Sequence, residues 1–332
     1  MILEKKRWLV TGVAGFIGSH LLEALLKADQ TVIGLDNFIT GKRSNIDDVL
    51  GLVTAEQARN FTFVEGDIRS FETCQEVTKN VNYVLNQAAL GSVPRSVKDP
   101  ITTNDINVTG FLNILRASEL NKVSRFVYAS SSSVYGDSEI LPKQEDILGA
   151  PLSPYAVSKR VNELYADAFF RSYNMEVVGL RYFNVFGPRQ DPESMYAAVI
   201  PLWVKSLLEG SPCYINGDGK NSRDFCYIEN VVQANINAAL TSNKSVIGQV
   251  FNVAFGESTN LLQLFDMLKA NLDLPNDLNP VHREPRIGDV KHSLADIQKA
   301  KSLLGYAPEH SISSGLKITT EWFKNAILNK TK

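Results

Sequence analysis

The sequence predicts an α/β fold built on a doubly wound parallel sheet. Three observations support it: short apolar runs alternate with helix-patterned segments, the first run leads through a glycine-rich turn into a helix, and 332 residues suit about two domains. Strands that alternate with helices form parallel sheets with right-handed crossovers. The alternation loosens after about residue 181 into turns rich in Gly, Pro, Asn and Asp. We therefore expect a smaller α/β domain to follow.

The predicted elements follow one another in a regular order. Apolar runs at 7–10 and 31–35 flank the segment 16–27, whose apolar residues recur at helical spacing, which predicts a βαβ unit. Further strands are predicted at 61–64, 83–85, 125–129 and 176–180, and helices at 106–120 and 155–173. The segments 227–240 and 250–253 regain the pattern of the first half. We therefore expect residues 1–180, together with about 225–254, to form one domain and residues 181–332 the other.

Composition excludes several classes of partner. The chain has 34 basic and 36 acidic side chains, a net charge of −2 with no basic run, so neither nucleic acid nor a membrane surface is an expected partner. Its three cysteines and four histidines are widely scattered, which argues against disulfides and a metal site. No stretch of 18 consecutive apolar residues occurs. We expect a soluble, cytoplasmic protein without a metal.

The turn after the first strand resembles a phosphate-binding loop. Gly12, Gly15 and Gly18 recur every three residues, and Phe16 and Ile17 open the helix that follows. In such loops one glycine permits the tight turn, one lets the backbone approach a pyrophosphate, and one allows close packing of helix on strand. The same spacing also occurs in ordinary strand-to-helix turns, so the loop needs a second signal.

Asp36 supplies that signal at the end of the second strand, 18 residues after Gly18. An acid there binds an adenosine ribose hydroxyl and repels a 2′-phosphate, which favours NAD over NADP. Lys42 and Arg43 follow closely and keep NADP open, although both also suit a solvated loop. Other residues at predicted strand ends complete the candidate cofactor site, and these are Asn37, Asp67, Ile68, Gln87, Ala88 and Ala89.

Tyr155 and Lys159 are the strongest catalytic candidates. They lie four residues apart on a predicted helix with Ser153 as its N-cap, and therefore share one face. A tyrosine acts as a base near pH 7 only if its pKa falls by about three units, or about 4 kcal/mol. A lysine about 4 to 5 Å away supplies energy of that order. The serine run 130–133 follows the fifth strand and can bring a hydroxyl to the same place.

These motifs resemble the extended short-chain dehydrogenase/reductases, and among them the nucleotide-sugar 4-epimerases. The resemblance spans nearly the whole chain and is carried by segments 131–136, 153–159, 181–184 and 216–227. It implies a Rossmann domain that binds NAD and a second domain that binds a UDP-sugar. It further implies that Tyr155 is the catalytic base, that Lys159 is its electrostatic partner and a ribose ligand, and that Ser131 binds the sugar O4. Val185 is implied as a further cofactor contact.

The resemblance also implies a set of substrate contacts. Asn184 matches a substrate-contacting asparagine, Arg223 and Arg286 match arginines that clamp a diphosphate, and Ser293 matches a gate beside the sugar 2-substituent. Alone, the arginines would also suit surface ion pairs and Ser293 a passive loop. The full set is Ser131, Ser132, Ser133, Tyr155, Asn184, Val199, Tyr214, Asn216, Arg223, Arg286, Asp289 and Ser293. Ser132 and Ser133 stand where related dehydratases carry acids, so elimination of water is poorly supported.

The leading hypothesis is reversible C4 epimerisation of UDP-GlcNAc to UDP-GalNAc through a 4-keto intermediate, with tightly held NAD. Segments 189–192 and 196–201 resemble the UDP-N-acetylhexosamine branch in particular. The same residues would serve a UDP-N-acetylhexosaminuronate or UDP-glucose. A net NAD-dependent reductase or dehydrogenase and a dinucleotide-sensing regulator are the rivals from other classes. The resemblance also implies a homodimer packed through helices 106–120 and 155–173, although their apolar faces would equally suit a core.

Overall fold

The structure, a computed structural model, describes residues 4–284 and 291–328. Within those ranges the strands are β1 Arg7–Thr11, β2 Thr31–Asp36, β3 Phe61–Glu65, β4 Tyr83–Asn86, β5 Arg125–Ser131, β6 Val177–Tyr182, β7 Val185–Phe186, β8 Tyr214–Asn216, β9 Ser222–Arg223, β10 Cys226–Tyr227, β11 Gln249–Val253, β12 Thr259–Asn260 and β13 Val281–Arg283. The α-helices are α1 Phe16–Lys27, α2 Arg43–Gly51, α3 Ala55–Ala58, α4 Phe71–Val77, α5 Val93–Lys98, α6 Pro100–Asn104, α7 Phe111–Leu120, α8 Pro154–Tyr173, α9 Val199–Leu208, α10 Ile228–Leu240, α11 Leu261–Asn271, α12 Gln298–Leu304 and α13 Ile312–Leu328.

Seven of these strands form one parallel sheet in the order β11-β6-β5-β4-β1-β2-β3. The predicted fold class is confirmed. The first six predicted strands are present, and each runs one or two residues further toward its carboxyl end. The added residues include Thr11, Asp36, Glu65 and Asn86, which are polar but still pair with the neighbouring strand. An apolar pattern misses such residues because pairing in a sheet depends on the backbone.

The sheet carries a hydrophobic core on each face. Trp8 and Val10 belong to one core with α1 and α10, whereas Leu9 belongs to the other with α4 and α7. Alternate side chains of a strand point to opposite faces, so a strand that is buried on both faces reads as a continuous apolar run. The helices therefore cover both faces, as a doubly wound sheet requires.

The last strand of the sheet comes from late in the chain. β11 pairs in parallel with β6, in a register that places Phe251 opposite Leu180. The segment 183–248 that precedes it includes four short strands, β7, β8, β9 and β10, which lie outside this sheet. Helices α9, α11 and α13 pack on one another in the same part of the molecule. The assignment of 181–332 as a separate domain stays a prediction.

The predicted helix 106–120 is divided in the structure. Asp105–Gly110 forms a π-helical turn, and α7 starts only at Phe111. The Asn107 amide in this turn donates to the Leu90 carbonyl at 3.0 Å and accepts from the Leu90 N–H at 2.7 Å. Tertiary hydrogen bonds of this kind hold a residue away from regular helix, and periodicity does not reveal them.

Helix α8 begins as the sequence predicts. The Ser153 hydroxyl accepts a hydrogen bond from the Ala156 N–H at 3.2 Å, and Pro154 occupies the first helical position. The helix ends at Asn174, which adopts the left-handed conformation. None of the helices in the described parts of the chain has the length and hydrophobicity that crossing a membrane requires.

Candidate functional site

The predicted site residues gather where the parallel strands end. Gly12 follows β1, Asp36 ends β2, Gln87 follows β4, and Ser131 ends β5. In open α/β sheets, ligands bind in the crevice outside these carboxyl ends. The polar residues of four separate segments thus face one region of the molecule.

The glycine loop leaves no room for side chains. Gly12 has φ +67°, and a Cβ there would lie 2.9 Å from the Ala88 nitrogen; a Cβ at Gly18 would lie 2.0 Å from the Gly12 oxygen. Gly15 is the N-cap of α1, and no side chain of the described residues caps this end. The free first-turn N–H groups and the positive end of the helix dipole suit a phosphate. The loop therefore fits a dinucleotide pyrophosphate.

Asp36 is held at the edge of the same crevice. Its carboxylate accepts hydrogen bonds from the Ala14 N–H at 2.9 Å and the Phe38 N–H at 2.8 Å. Burial raises the pKa of Asp36, and these backbone N–H groups oppose that rise. Asn37, the next residue, donates its side-chain amide to Asp67 at 2.7 Å. The carboxylate retains lone pairs that two ribose hydroxyls can use.

A cavity joins the glycine loop to Asp36. It is lined by eight of the predicted cofactor contacts, which are Gly12, Gly15, Asp36, Asn37, Ile68, Gln87, Ala88 and Ala89. Sequence reasoning missed further lining residues, and these are Leu35, Ile39, Thr40, Gly66, Leu90 and Ile106. Gly66 could have been found, because a glycine directly after a predicted strand is the pattern that selected Gly12. Ile106 gave no signal, since it lies in a helical pattern.

Other predicted cofactor residues do not line this cavity themselves. Phe16 lines a neighbouring cleft, Ile17 packs on the hydrophobic core, and the Val185 carbonyl, in β7, accepts from the Gln190 amide at 3.2 Å. Asp67 forms an ion pair with Arg69 at 2.7 Å and lies beside the cavity, because its carboxylate accepts from the Asn37 amide. The assignment of these residues as cofactor contacts stays a prediction.

Tyr155, Lys159 and Ser131 come together at the end of β5. The Ser131 hydroxyl is hydrogen bonded to the Tyr155 side chain. Lys159 lies with its Nζ 5.9 Å from the centre of the Tyr155 ring, and this ammonium donates to the Ala129 carbonyl at 2.9 Å. The three candidates chosen from sequence thus form one cluster, and Lys159 is 4% exposed.

Burial dominates the electrostatics of this cluster. It raises the pKa of Tyr155, whereas the hydrogen bond from Ser131 lowers it by less. Burial also lowers the pKa of Lys159 to about 8, opposed by the negative charge of Glu163. In the protein alone the net shift of the Tyr155 pKa is therefore upward, opposite to the lowering that we expected from Lys159. Lys159 still carries its positive charge at pH 7.

Ser132 and Ser133 form a short 3₁₀ turn directly after Ser131. The Ser131 hydroxyl caps this turn by accepting from the Ser133 N–H at 3.2 Å. The Ser133 hydroxyl is buried, and no residue in the described ranges forms a hydrogen bond with it. A buried hydroxyl without a partner is costly, so this position suits a polar ligand.

Asn184 and the strand β9 form a second cluster. The Asn184 amide donates to the Asp224 carbonyl at 3.2 Å, and β7 pairs with β10 directly after Asp224. The Arg223 guanidinium donates to the carbonyls of Ser222 and Lys291. The Ser293 N–H donates to the Ser222 carbonyl at 3.0 Å. Asn184, Arg223 and Ser293 are therefore linked through one short strand.

Sequence reasoning missed Asp224, which organises this cluster. It is fully buried, and its carboxylate accepts from the backbone N–H groups of Phe255, Gly256 and Ala295 at 3.1 to 3.2 Å. Burial raises its pKa to about 7. No sequence pattern distinguishes an aspartate that binds backbone N–H groups from a solvated one.

The remaining predicted substrate contacts are spread along neighbouring segments. Tyr214 starts β8, is half-exposed, and has the Arg283 guanidinium 3.2 Å from its ring centre. Asn216 ends β8 opposite Arg283 of β13. Val199 is the first residue of α9. Arg286 and Asp289 lie outside the described residues.

Comparison with known proteins identifies the family. Residues 8–254 match the family model described as NAD dependent epimerase/dehydratase family. The chain is 38% identical to a putative UDP-glucose 4-epimerase of Methanocaldococcus jannaschii, over 96% of this chain and 98% of that protein. It is 33% identical to the UDP-glucuronate 4-epimerase of Thermodesulfobacterium geofontis, over 96% of this chain and 97% of that protein.

Solved structures agree with this assignment. The structure of UDP-N-acetylglucosamine 4-epimerase from Methanobrevibacter ruminantium, in complex with UDP-N-acetylmuramic acid, superposes with a TM-score of 0.89 at 37% identity, over 98% of this chain and 100% of that one. The UDP-glucuronic acid 4-epimerase of Bacillus cereus, in complex with UDP-glucuronic acid and NAD, superposes with a TM-score of 0.86 at 33% identity, over 96% and 99%.

The fold, the glycine loop and Asp36 define an NAD-binding enzyme on a Rossmann sheet, and the comparisons narrow the class. The chain belongs to the NAD dependent epimerase/dehydratase family. Its cofactor is NAD, in agreement with the acid at the end of β2.

Proposed function

We propose that this enzyme interconverts the C4 epimers of a UDP-sugar, with UDP-GlcNAc and UDP-GalNAc as its substrate pair. The cluster of Ser131, Tyr155 and Lys159 at the end of β5 is the observation that carries the proposal. It combines a proton acceptor, a hydroxyl and a buried positive charge beside the cofactor crevice. Several relatives of the chain bear the names of UDP-sugar 4-epimerases, which supports the same reaction.

Tyr155 moves the proton in this reaction. Its phenolic oxygen takes the proton of the sugar 4-hydroxyl and returns it after the configuration at C4 has changed. Ser131, already hydrogen bonded to Tyr155, holds the same sugar oxygen in line. NAD, which the glycine loop and Asp36 would hold, would supply hydride transfer at C4, and the positive charge of its oxidised ring would favour the phenolate. No added cofactor is consumed.

Lys159 lowers the energy of the Tyr155 phenolate. A unit charge at roughly 6 Å, with an effective dielectric constant near 20, contributes about 3 kcal/mol, or about two pKa units. The distance of about 6 Å is used because the Lys159 Nζ lies 5.9 Å from the centre of the Tyr155 ring. This attraction offsets part of the cost of burying the phenolate, and the bound cofactor supplies the remainder.

The substrate assignment depends on the sugar end of the crevice. Ser132 and Ser133 provide hydroxyls, and the unpartnered Ser133 hydroxyl would be satisfied by a polar group of the sugar. Ser293, tied to β9 beside Arg223, has a small side chain that leaves space for an N-acetyl group. Asn184, Arg223 and Arg286 are proposed to bind the sugar nucleotide, because Arg binds diphosphate with a bidentate fork.

Two substrates compete with this assignment. The 6-carboxylate counterpart of UDP-GlcNAc and UDP-glucose would use the same catalytic residues, and relatives named for glucose and for glucuronate are similarly close. The proposal for UDP-GlcNAc rests on the space at Ser293 and on the solved relative of that name.

We also propose a homodimer. Val157 and Leu164 on α8 are about half exposed, and Val97 on α5 and Ile101 on α6 are more exposed still. Helices α5 and α6 pack against α8, so these side chains form one apolar surface. A second copy of the chain that buries this surface would pack against α8, which contains one of the two helices, 106–120 and 155–173, through which the sequence resemblance implies a dimer.

Product analysis tests the function directly. Purified protein, with no NAD added, is incubated separately with UDP-GlcNAc, its 6-carboxylate counterpart and UDP-glucose, and products are resolved by NMR. We expect a galacto product from UDP-GlcNAc with unchanged absorbance at about 340 nm. Turnover of only the carboxylate or only UDP-glucose would refute the substrate, and a stoichiometric absorbance change would refute epimerisation.

Tyr155→Phe tests the assigned base. The variant keeps the ring and loses only the hydroxyl, so it should fold normally and retain less than a tenth of the epimerisation rate. Tyr165→Phe on the same helix removes a hydroxyl away from the cluster and should retain the full rate. A Tyr155→Phe rate above a tenth of wild type would show that another group moves the proton.

A further inference from the structure

Glu163 lies on α8 one helical turn after Lys159 and is buried among polar partners. The Ser130 hydroxyl donates to its Oε1 at 2.6 Å. Arg181 donates through Nε to Oε1 at 2.8 Å and through Nη2 to Oε2 at 3.0 Å, and Arg160 donates to Oε2 at 2.8 Å. The Glu163 side chain is 3% exposed. The reaction proposed above gives this carboxylate no role.

The contact of Ser130 with Glu163 lies between two other contacts of β5 with α8. The last three residues of β5 each interact with one residue of the helix: Ala129 with Lys159, Ser130 with Glu163, and Ser131 with Tyr155. Tyr155, Lys159 and Glu163 are spaced by four residues and share one helix face, so the three contacts hold the strand end against that face.

We propose that Glu163 is a positioning residue for the catalytic cluster, which it serves by fixing Ser130 between the two β5 residues that contact Tyr155 and Lys159 and by balancing the positive charge around Lys159. The proposal rests on the function proposed above. Glu163 touches neither substrate nor cofactor in this assignment and acts only through its neighbours.

The charges around Glu163 and Lys159 support the second part of the proposal, that Glu163 balances the positive charge near Lys159. Lys159, Arg160 and Arg181 place three cations around one carboxylate, and hydrogen bonds from Arg181 keep the pKa of Glu163 low. Arg181 in turn donates to the Tyr135 hydroxyl and to the Glu145 carbonyl. Among the described residues, Tyr128 on β5 and Asp167 on α8 are further titratable groups near Glu163 and Arg181.

Removing the carboxylate charge would leave the three cations without their counter-charge. Because like charges disfavour one another, Lys159 would lose its proton at a lower pH. A neutral Lys159 no longer stabilises the Tyr155 phenolate, so activity would be lost at a lower pH on the alkaline side. The alkaline limb of the kcat profile would therefore move to lower pH, whereas the acid limb, where Lys159 is still charged, would not move to higher pH. The maximum of the narrower profile would be lower.

Glu163→Gln tests the proposal through the pH profile of kcat and KM for epimerisation. The variant is nearly isosteric, and its Oε1 can still accept from Ser130 and from the Arg181 Nε. We expect kcat to fall about tenfold at pH 7, KM to change less than threefold, and the alkaline limb to move to lower pH by at least about half a pH unit. Asp167→Asn, which removes an exposed carboxylate four residues further along α8, should leave kcat and both limbs unchanged.

Outcomes that overturn the proposal are distinct from failure of the reaction itself. A Glu163→Gln kcat within twofold of wild type would overturn it, and so would a lower kcat with the alkaline limb unmoved, because lost packing alone gives that result. If Glu163→Gln does not fold, Ser130→Ala replaces it; we expect at least threefold lower kcat at unchanged KM, and wild-type kcat would overturn the proposal. Absence of epimerisation by the wild-type protein would refute the proposed function first.

Discussion

Replacing Gly18 by alanine adds a single methyl group at the most crowded point of the glycine loop. A Cβ there would lie 2.0 Å from the Gly12 oxygen, 2.8 Å from the Gly12 carbonyl carbon and 2.9 Å from the Val13 Cα. All three are backbone atoms, and Cβ contacts below 3.0 Å essentially do not occur. Either the loop or the first turn of α1 must therefore move by about 1 Å.

The expected change in the free energy of unfolding is the sum of two opposing effects. Overpacking of this kind costs about 1 to 3 kcal/mol, and alanine in a helix recovers about 0.5 to 1 kcal/mol relative to glycine. The net loss is about 2 kcal/mol at most. With an unfolding entropy of about 2.1 cal/mol/K per residue over 332 residues, that loss lowers Tm by about 3 °C. A shift of 1 Å also disrupts about two charge-assisted hydrogen bonds to the pyrophosphate, which weakens NAD binding by about 30-fold or more.

Two assays on the same preparation check this reasoning. Thermal unfolding in buffer without added NAD measures Tm. Extraction followed by chromatography measures the amount of NAD retained per chain. Gly51→Ala is the matched control, because a Cβ at Gly51 has no atom within 4 Å, and it should keep wild-type NAD content and a wild-type or higher Tm. Full NAD content and unchanged Tm in Gly18→Ala would show that the loop is not the close-packed cradle described here.

Two further predictions concern parts of the molecule away from the loop. Asp224 has a folded pKa of about 7, above its ordinary value near 4, so the unfolded chain loses this proton first and wild-type stability falls as pH rises between these values. Urea titrations should therefore show that the free energy of unfolding of Asp224→Asn rises relative to that of wild type by up to about 1.4 kcal/mol per pH unit between pH 5 and 7. A difference in unfolding free energy that does not change with pH would contradict the buried charge. Leu164→Glu should convert a dimer of 36.7 kDa chains into monomers, as measured by light scattering. Leu52→Glu changes an exposed leucine outside this face and should leave the dimer intact. A Leu164→Glu variant that is still a dimer would exclude this face as the interface.

The strand order of the sheet shows how far periodicity reaches. Apolar runs located all seven strands, because strands buried on both faces must be apolar throughout. The order of the strands came from their pairing, such as that of β11 with β6, which joins residues about 70 positions apart in the chain. Periodicity describes the surroundings of one segment, and pairing depends on which segments meet.

The residues of the candidate site likewise differ in how far the sequence alone could predict them. Gly12, Gly18, Asp36, Tyr155 and Lys159 were recognisable because their function constrains local spacing: a tight turn, a helix start, and two side chains on one helix face. Arg286 and Asp289 lie outside the described residues, and their assignment stays a prediction. Ile17 has a suitable position in the chain, but its side chain packs on the hydrophobic core, and Asp67 reaches the cavity through its hydrogen bond with Asn37.

The sequence by itself determined the doubly wound sheet, the NAD loop and the Tyr155 and Lys159 pair, since each depends on residues that are near one another in the chain. Tertiary structure alone decided what surrounds them. Glu163 faces Ser130 across 33 residues, and Asp224 binds backbone N–H groups of residues 31 to 71 positions away. Burial at those meeting points raises or lowers pKa values, and burial is a property of the packed chain.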